Sequence, residues 1–102
     1  MADRLTPVPA SPEILDKIES RHGIESSAIE ELFSRRHVVL RGPVDRYGER
    51  RFTSLGQAAG GRYLFVIYTV HEPGTAKVIT AREMTPREQR FYRKSQGRRR
   101  SR

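Results

Sequence analysis

Apolar residues recur at helical spacing in two short segments near the N-terminus. In the first segment, Ile14, Leu15 and Ile18 form one apolar face. Ser11, followed directly by a proline and a glutamate, is typical of a helix start. Gly23 can adopt the left-handed conformation that ends many helices. The pattern therefore predicts a first helix between Ser11 and Gly23.

A second helix is predicted immediately afterwards. Ser27 and Glu30 have the spacing of a capping box, in which each residue bonds the backbone of the other. Ile29, Leu32 and Phe33 form the apolar stripe of this helix. Two arginines follow the stripe, which suits the negative end of a helix dipole.

The hydrophobic period changes to that of strands after these helices. Residues 38–40, 50–55 and 76–81 are β-prone runs separated by turns that contain Gly, Pro or Asp. The run from Tyr63 to Val70 is apolar or aromatic on both faces, which is typical of a central strand covered on both sides. We therefore predict about four antiparallel strands, with this run near the centre of the sheet.

The chain is predicted to end in a third helix and a basic tail. Thr85, Pro86 and Glu88 repeat the combination of cap, first-turn proline and capping box, so a helix should run from Pro86 to about Lys94. The sequence predicts the fold class α+β, with two N-terminal helices, a four-stranded antiparallel sheet and a C-terminal helix. Residues 11–94 would form one domain, between a flexible lead-in (1–10) and a disordered basic tail (95–102).

Charge is concentrated at the C-terminus. The 102 residues carry a formal net charge of +8, and six of the 20 Lys and Arg residues lie in the last ten positions. Without those six, 14 bases face 12 acids. The tail could therefore bind RNA through its phosphates, meet an acidic partner, or only aid solubility, and Arg98, Arg99 and Arg100 are predicted substrate contacts.

Several classes of chemistry are disfavoured by composition. The chain has no cysteine, which excludes disulfides, thiol nucleophiles and zinc–thiolate sites. Its three histidines are scattered and no acid pair has ligand-like spacing, so we expect neither a metal nor any other cofactor. No apolar run is long enough to cross a membrane, and we expect a cytoplasmic protein.

The segment Glu49-Arg50-Arg51 is the first candidate for chemistry. It stands at the entrance of a strand, where alternation would place Glu49 and Arg51 on one side and Arg50 on the other. The alternative interpretation is a charged edge strand that resists aggregation.

A second group of candidates surrounds the last strand. Lys77 and Arg82 bracket that strand, and Tyr68 lies in its neighbour, although a tyrosine there could equally belong to the core. Glu88 and Tyr92 are spaced to share one helix face, and capping alone could explain Glu88.

Arg, Lys, Glu and Tyr at strand ends suit metal-independent RNA cleavage. A base must take the proton of the 2′-hydroxyl, fixed cations must stabilise the crowded phosphorus centre, and the 5′ oxygen must gain a proton as it leaves. Arginine suits the cationic role because its fork stays charged and can hold two phosphate oxygens.

The chain resembles the BrnT family of ribonuclease toxins from bacterial type II toxin–antitoxin systems, from about Ile14 to Lys94. The likeness rests on the order and spacing of several short pieces: Arg21-His22-Gly23, the helix to Phe33, Gly48-Glu49-Arg50-Arg51, Leu55-Gly56, the strand LFVIYTV, VITAR from Val78 to Arg82, and Glu88 with Tyr92.

This resemblance implies a RelE-like fold and a metal-independent ribonuclease that inhibits translation. It also implies neutralisation by a cognate DNA-binding antitoxin, in oligomeric complexes that bind operator DNA through the antitoxin. By motif match the catalytic candidates are His22, Glu49, Arg51, Arg82 and Tyr92, and the substrate-binding candidates include Lys77, Tyr68 and Arg50. Among them, Arg82 is the primary candidate because the end of a buried strand is a rigid support.

Departures from the family pattern lie at the N-terminus. The opening strand and Trp-Asp-Pro segment are replaced by LTPVPASPE, and the asparagine usual four residues before the histidine is Ile18. We therefore expect a sheet one strand shorter at that edge, or an altered pocket. His22 itself could simply bond the end of its helix.

Two other functions remain open from the sequence. The sheet and tail could bind RNA without cleaving it, or the chain could be an inactive relative that acts through protein partners. A helix-turn-helix is disfavoured because Glu30 and Glu31 would face DNA phosphates.

Overall fold

The computed structural model describes residues 5–58, 60–70 and 72–100, without the side chains of residues 97–100. Within these residues, three helices and five strands follow one another. In order, they are β1 (Thr6–Pro9), α1 (Pro12–His22), α2 (Ser26–Ser34), β2 (Val38–Val44), β3 (Arg50–Gln57), β4 (Tyr63–Thr69), β5 (Thr75–Glu83) and α3 (Pro86–Arg100). The α+β class and the placement of two helices before the main strands and one after them are confirmed.

The sheet has five strands rather than the predicted four, and it is mixed. Its order is β1-β5-β4-β3-β2, with β4 at the centre as predicted. The strands β2 to β5 form an antiparallel meander. The added strand β1 pairs with β5 in parallel, so the predictions of a flexible lead-in over residues 6–9 and of a sheet missing its N-terminal strand are wrong.

The two prolines of β1 explain why its sequence does not have a strand pattern. Thr6 donates its backbone N–H to the Gly74 carbonyl at 2.8 Å, and Ala10 donates to the Val78 carbonyl at 2.8 Å. Pro7 and Pro9 alternate with these donors in the sequence. Because proline lacks an N–H, it is tolerated on an edge strand where it is not needed as a donor.

The N-terminal helices begin and end partly as predicted. Gly23 closes α1 in the left-handed conformation, with φ of 65°. The predicted capping box of α2 is wrong, because that helix begins at Ser26 with Glu25 as its cap, and the Ser27 hydroxyl donates to the Glu25 carboxylate instead.

Helices α1 and α2 cover one face of the sheet. Leu64, Val66 and Tyr68 of β4 point to that side and are at most 1% exposed. They pack in one cluster with residues of both helices, of the segment between the helices and of β5: Ile18, Ile24, Ile29, Leu32, Phe33, Ala76, Val78 and Ala81. At Gly56 of β3 an added Cβ would meet the Leu32 Cγ at 3.1 Å, so a side chain there would push α2 away from the sheet.

Helix α3 covers only one end of the opposite face. Met84 and Tyr92 pack there against Leu55 of β3, beside the half-buried Tyr63 and Phe65 of β4. Further along β4, Ile67 is only half-buried. The predicted burial of β4 on both faces is therefore complete on one side only. We call the part of this face that α3 leaves uncovered, formed by the half-buried Arg51, Thr53, Ile67 and Lys77 around the buried Thr69, the open face.

An ion pair fixes α3 to the sheet. Arg82 donates from Nη1 and Nη2 to the two carboxylate oxygens of Glu88 at 2.9 and 3.0 Å, and its Cζ lies 3.8 Å from the centre of the Phe65 ring. The predicted capping box is also confirmed: Thr85 and Glu88 exchange hydrogen bonds of 2.9 and 3.2 Å. Glu88 thus joins the start of α3 to the end of β5.

Helix α3 continues to Arg100, six residues past its predicted end at Lys94. The prediction of disorder is therefore wrong for the backbone of residues 95–100. Glutamine and arginine are good helix formers, and cations near a helix C-terminus are stabilised by its dipole, so Gly97 alone does not end the helix.

We expect Leu64→Ala to lower the free energy of unfolding by about 2–5 kcal/mol, because Leu64 is fully buried and its truncation leaves a cavity. The matched variant is Ile67→Ala, in the same strand but on the opposite face and only half-buried, and it should lose clearly less stability. Urea unfolding of both variants tests this. Equal losses would show that the open face is covered.

The Arg82 hydrogen bonds hold the pKa of Glu88 below its ordinary value of 4.5. A lowered carboxyl pKa stabilises the fold fully above that ordinary value, and this contribution disappears as the pH falls through the lowered pKa. Glu88→Gln should therefore lower stability at neutral pH by about 1 kcal/mol, because both charges are partly exposed, and the difference from wild type should vanish in acid.

Melting temperatures measured against pH test the ion pair. The control is Glu30→Gln, an exposed glutamate on α2, which should leave the pH profile unchanged. A Glu88→Gln profile parallel to that of wild type at every pH would contradict the role given to Glu88.

Candidate functional site

Two cations flank a threonine at one end of the open face. In the strand register, Arg51 of β3 and Lys77 of β5 are the partners of Thr69 on either side. Because neighbouring strands lie about 4.8 Å apart, the Cα atoms of the two cations are roughly 10 Å apart. Long side chains spanning this distance can hold one anion between them.

Thr69 has an unusual environment for a hydroxyl group. It is 1% exposed, and its Oγ1 is buried without a hydrogen-bond partner. A buried polar group without a partner costs free energy. Because this hydroxyl is not exposed, Thr69 marks the strand position between the two cations and does not itself reach the surface.

The turn before β3 positions Arg51. Asp45 accepts the backbone N–H groups of Tyr47 and Glu49 at Oδ1, at 2.9 and 3.0 Å, and its Oδ2 lies 3.6 Å from Arg51 Nε. The hydrogen bond from the Glu49 N–H, together with those from Tyr47 and Arg51, holds the pKa of Asp45 below its usual value although desolvation acts in the opposite direction. The role of Asp45 was not predicted from the sequence. The signal that could have indicated it is an Asp three residues before a Gly, which is typical of a turn.

Glu49 lies directly before β3, and Arg50 and Arg51 are the first two residues of that strand. Glu49 is half-buried directly before β3, and its carbonyl accepts the N–H of Asp45 at 2.7 Å. Arg50 has the opposite orientation to Arg51 and donates to the Gly42 carbonyl at 2.9 Å. The structure therefore brings Glu49 and Arg51 to one end of the site and engages Arg50 with the backbone of β2.

Arg82 is displaced from this pair of cations. Its register partner is Phe65, four residues along β4 from Thr69, which is roughly 13 Å at 3.3 Å per residue. Its fork is occupied by Glu88, and Nη1 also donates to the Glu83 carbonyl at 3.0 Å. In this arrangement Arg82 holds α3 at the border of the open face.

Both predicted tyrosines are buried. Tyr92 of α3 is 7% exposed and makes an edge-to-face contact with Tyr63. Burial is the main cause that raises the pKa of the Tyr92 hydroxyl. Tyr68 is 1% exposed on the face covered by α1 and α2, and its hydroxyl shares a 2.9 Å hydrogen bond with Ser54. Burial likewise raises the pKa of Tyr68. For Tyr68 the structure favours the core interpretation.

His22 lies apart from Arg51 and Lys77. It is exposed at the end of α1, which packs on the face opposite the open face. His22 lines a small cleft with Ile79 and Thr80 of β5. Arg62 donates to the carbonyls of Gly23 and His22 at 2.8 and 3.4 Å. The structure therefore places His22 at the margin of β5, on the α1 side.

The predicted tail contacts Arg98, Arg99 and Arg100 fall on residues whose side chains are outside the described part of the structure. Among the described residues, no group of three or more His, Cys, Asp or Glu side chains could hold a metal ion. In the same part of the chain, no helix is long and apolar enough to cross a membrane.

The sequence was compared with known proteins and families. A comparison with curated proteins finds no match. A family model described as "Ribonuclease toxin, BrnT, of type II toxin-antitoxin system" matches residues 16–88. This range includes most of α1, the elements from α2 to β5 and the start of α3, together with Glu49, Arg51, Lys77, Arg82 and Glu88. Because the match covers well over half of the 102 residues, the chain belongs to the BrnT family of ribonuclease toxins of type II toxin–antitoxin systems.

Proposed function

We propose that this protein is a metal-independent endoribonuclease whose substrate lies on the open face. The observation that carries the proposal is the placement of Arg51 and Lys77 on either side of Thr69, on the part of the sheet that α3 leaves uncovered. The family assignment supports RNA as the substrate. Cleavage of messenger RNA would inhibit translation.

The cations at this end of the sheet would stabilise the reacting phosphate. Arg51 and Lys77 would hold its non-bridging oxygens, where negative charge grows as the 2′ oxygen attacks phosphorus. Glu49, next to Arg51 in the turn, would accept the proton of the 2′-hydroxyl. The bond to the 5′ oxygen then breaks, and that oxygen takes a proton from an acid of the site or from water. The products would be a 2′,3′-cyclic phosphate and a free 5′-hydroxyl.

The other predicted site residues receive different proposed roles. Arg82 acts as a positioning residue, because its fork holds Glu88 and thereby the first turn of α3 beside the substrate. Tyr92, a residue of α3, stabilises the same helix by packing against Leu55 of the sheet. His22 remains a prediction as a phosphate contact at the margin of β5, and Arg50 as a residue that shapes the strand entrance.

The expected partners follow from the family. A type II system pairs a toxin with an antitoxin protein, and we propose that a cognate DNA-binding antitoxin neutralises this chain in an oligomeric complex on operator DNA. We further propose a cytoplasmic location and a RelE-like architecture. The meander of β2 to β5 followed by a helix across one face supports the latter.

We expect purified protein to cleave a long unstructured RNA in excess EDTA. Arg51→Ala and Lys77→Ala should each reduce the rate by roughly 10²-fold or more, because each removes a charge that stabilises the transition state. Arg41→Ala is the matched control. Arg41 is an exposed arginine of β2 whose register partner, Phe52, belongs to the opposite face.

Circular dichroism of each variant confirms that it is folded. Full activity of folded Arg51→Ala and Lys77→Ala would contradict the site. Loss of wild-type cleavage in EDTA would contradict metal independence, and RNA binding without cleavage would favour the non-catalytic alternative.

The basic C-terminus should strengthen RNA binding without sequence preference. Removal of residues 97–102 deletes four arginines, so the logarithm of affinity should fall less steeply with the logarithm of salt concentration, by up to about three units of slope. Filter binding over a salt series measures this slope. Identical slopes for the truncated and full-length chains would show that the tail does not contact RNA.

A further inference from the structure

Tyr47 is the most exposed of the large hydrophobic side chains in the described part of the chain. It is 76% exposed, in the turn between β2 and β3. Its ring therefore contributes little to the core, and burying such a ring against a partner would be favourable. Tyr47 lies close to the proposed site, because the same turn leads directly to Glu49 and Arg51.

The backbone of this turn is already ordered. Asp45 accepts the N–H of Tyr47 at 2.9 Å through its side chain, and the N–H of Gly48 at 3.0 Å through its carbonyl. Gly48 has φ of 81°, a conformation that side-chain-bearing residues rarely adopt. The Tyr47 ring is thus presented on a fixed support, so a ligand that stacks on it pays little to order the backbone.

A cation lies beside the ring. The Arg46 guanidinium lies 5.5 Å from the centre of the Tyr47 ring. The Asp45 carboxylate that fixes the turn also contacts Arg51 on the open face. A flat aromatic surface next to phosphate-binding cations is the arrangement by which proteins hold single-stranded nucleic acid, since every base has a face that can stack.

We propose that Tyr47 is a base-stacking residue that holds an unpaired base of single-stranded RNA close to the phosphate bound at Arg51 and Lys77, with Arg46 contacting the backbone of the same segment. This inference rests on the proposed function and names its substrate class as single-stranded RNA. A duplex would be excluded from this contact because its bases are already stacked on one another.

The test measures the affinity of a short single-stranded RNA that carries 2′-O-methyl groups and one 2-aminopurine. Without free 2′-hydroxyls the RNA cannot be cleaved by the proposed route, so binding is separated from activity. Tyr47→Ala should weaken binding by about 5- to 100-fold, and Tyr47→Phe should retain affinity because it keeps the ring. Quenching of the 2-aminopurine fluorescence should be lost in Tyr47→Ala only.

Salt dependence distinguishes stacking from charge. Tyr47→Ala should leave the slope of log affinity against log salt unchanged, whereas Arg46→Ala should reduce it by about one. A duplex of the same sequence should bind Tyr47→Ala and wild type equally.

Equal single-stranded RNA affinity of Tyr47→Ala and wild type would overturn this inference and leave the proposed ribonuclease standing. Equal losses of single-stranded and duplex binding would also overturn it, because they would indicate a general change of the turn. Absence of RNA binding by wild type itself would overturn both proposals. If Tyr47→Ala instead loses antitoxin binding alone, the ring belongs to a protein interface and the inference is wrong.

Discussion

The bidentate contact between Arg82 and Glu88 decides how much of the sheet is available to a substrate. Glu88 caps α3 and at the same time holds the end of β5, so the helix can lie only across Tyr63 and Phe65. The pair is rigid because the guanidinium also stacks on Phe65. On the other face, α1 and α2 bury Leu64, Val66 and Tyr68. On the half of β4 that α3 leaves uncovered, cations of β3 and β5 lie on either side of one strand position.

This constraint separates the predicted site residues into two groups. The first group is structural: Arg82 and Tyr92 position α3, and Tyr68 belongs to the core. Arg51, Lys77 and the neighbouring Glu49 border the uncovered surface, together with the buried, unpartnered hydroxyl of Thr69. A single arrangement of strands therefore accounts for a stable support and for a polar surface beside it.

Local signals in the sequence were sufficient for several elements. The capping box of α3, the glycine that ends α1 and the central position of β4 depend on residues close together in the chain, and all are found in the structure. By contrast, β1 depends on a partner strand almost 70 residues away, and its prolines mask the strand pattern. The orientation of Tyr68 was equally hidden, because β4 is apolar on both faces and its sequence does not say which side the helices cover.

Mapping of bound RNA onto the two faces of the sheet tests the central claim most directly. Backbone amide shifts of the labelled protein can be followed by NMR as uncleavable 2′-O-methyl RNA is added. We expect the largest changes at Arg51, Thr69 and Lys77, with small changes at Val39 and Ser54 on the other face of the sheet. Changes concentrated on the α1 and α2 face, with none at Thr69, would contradict it.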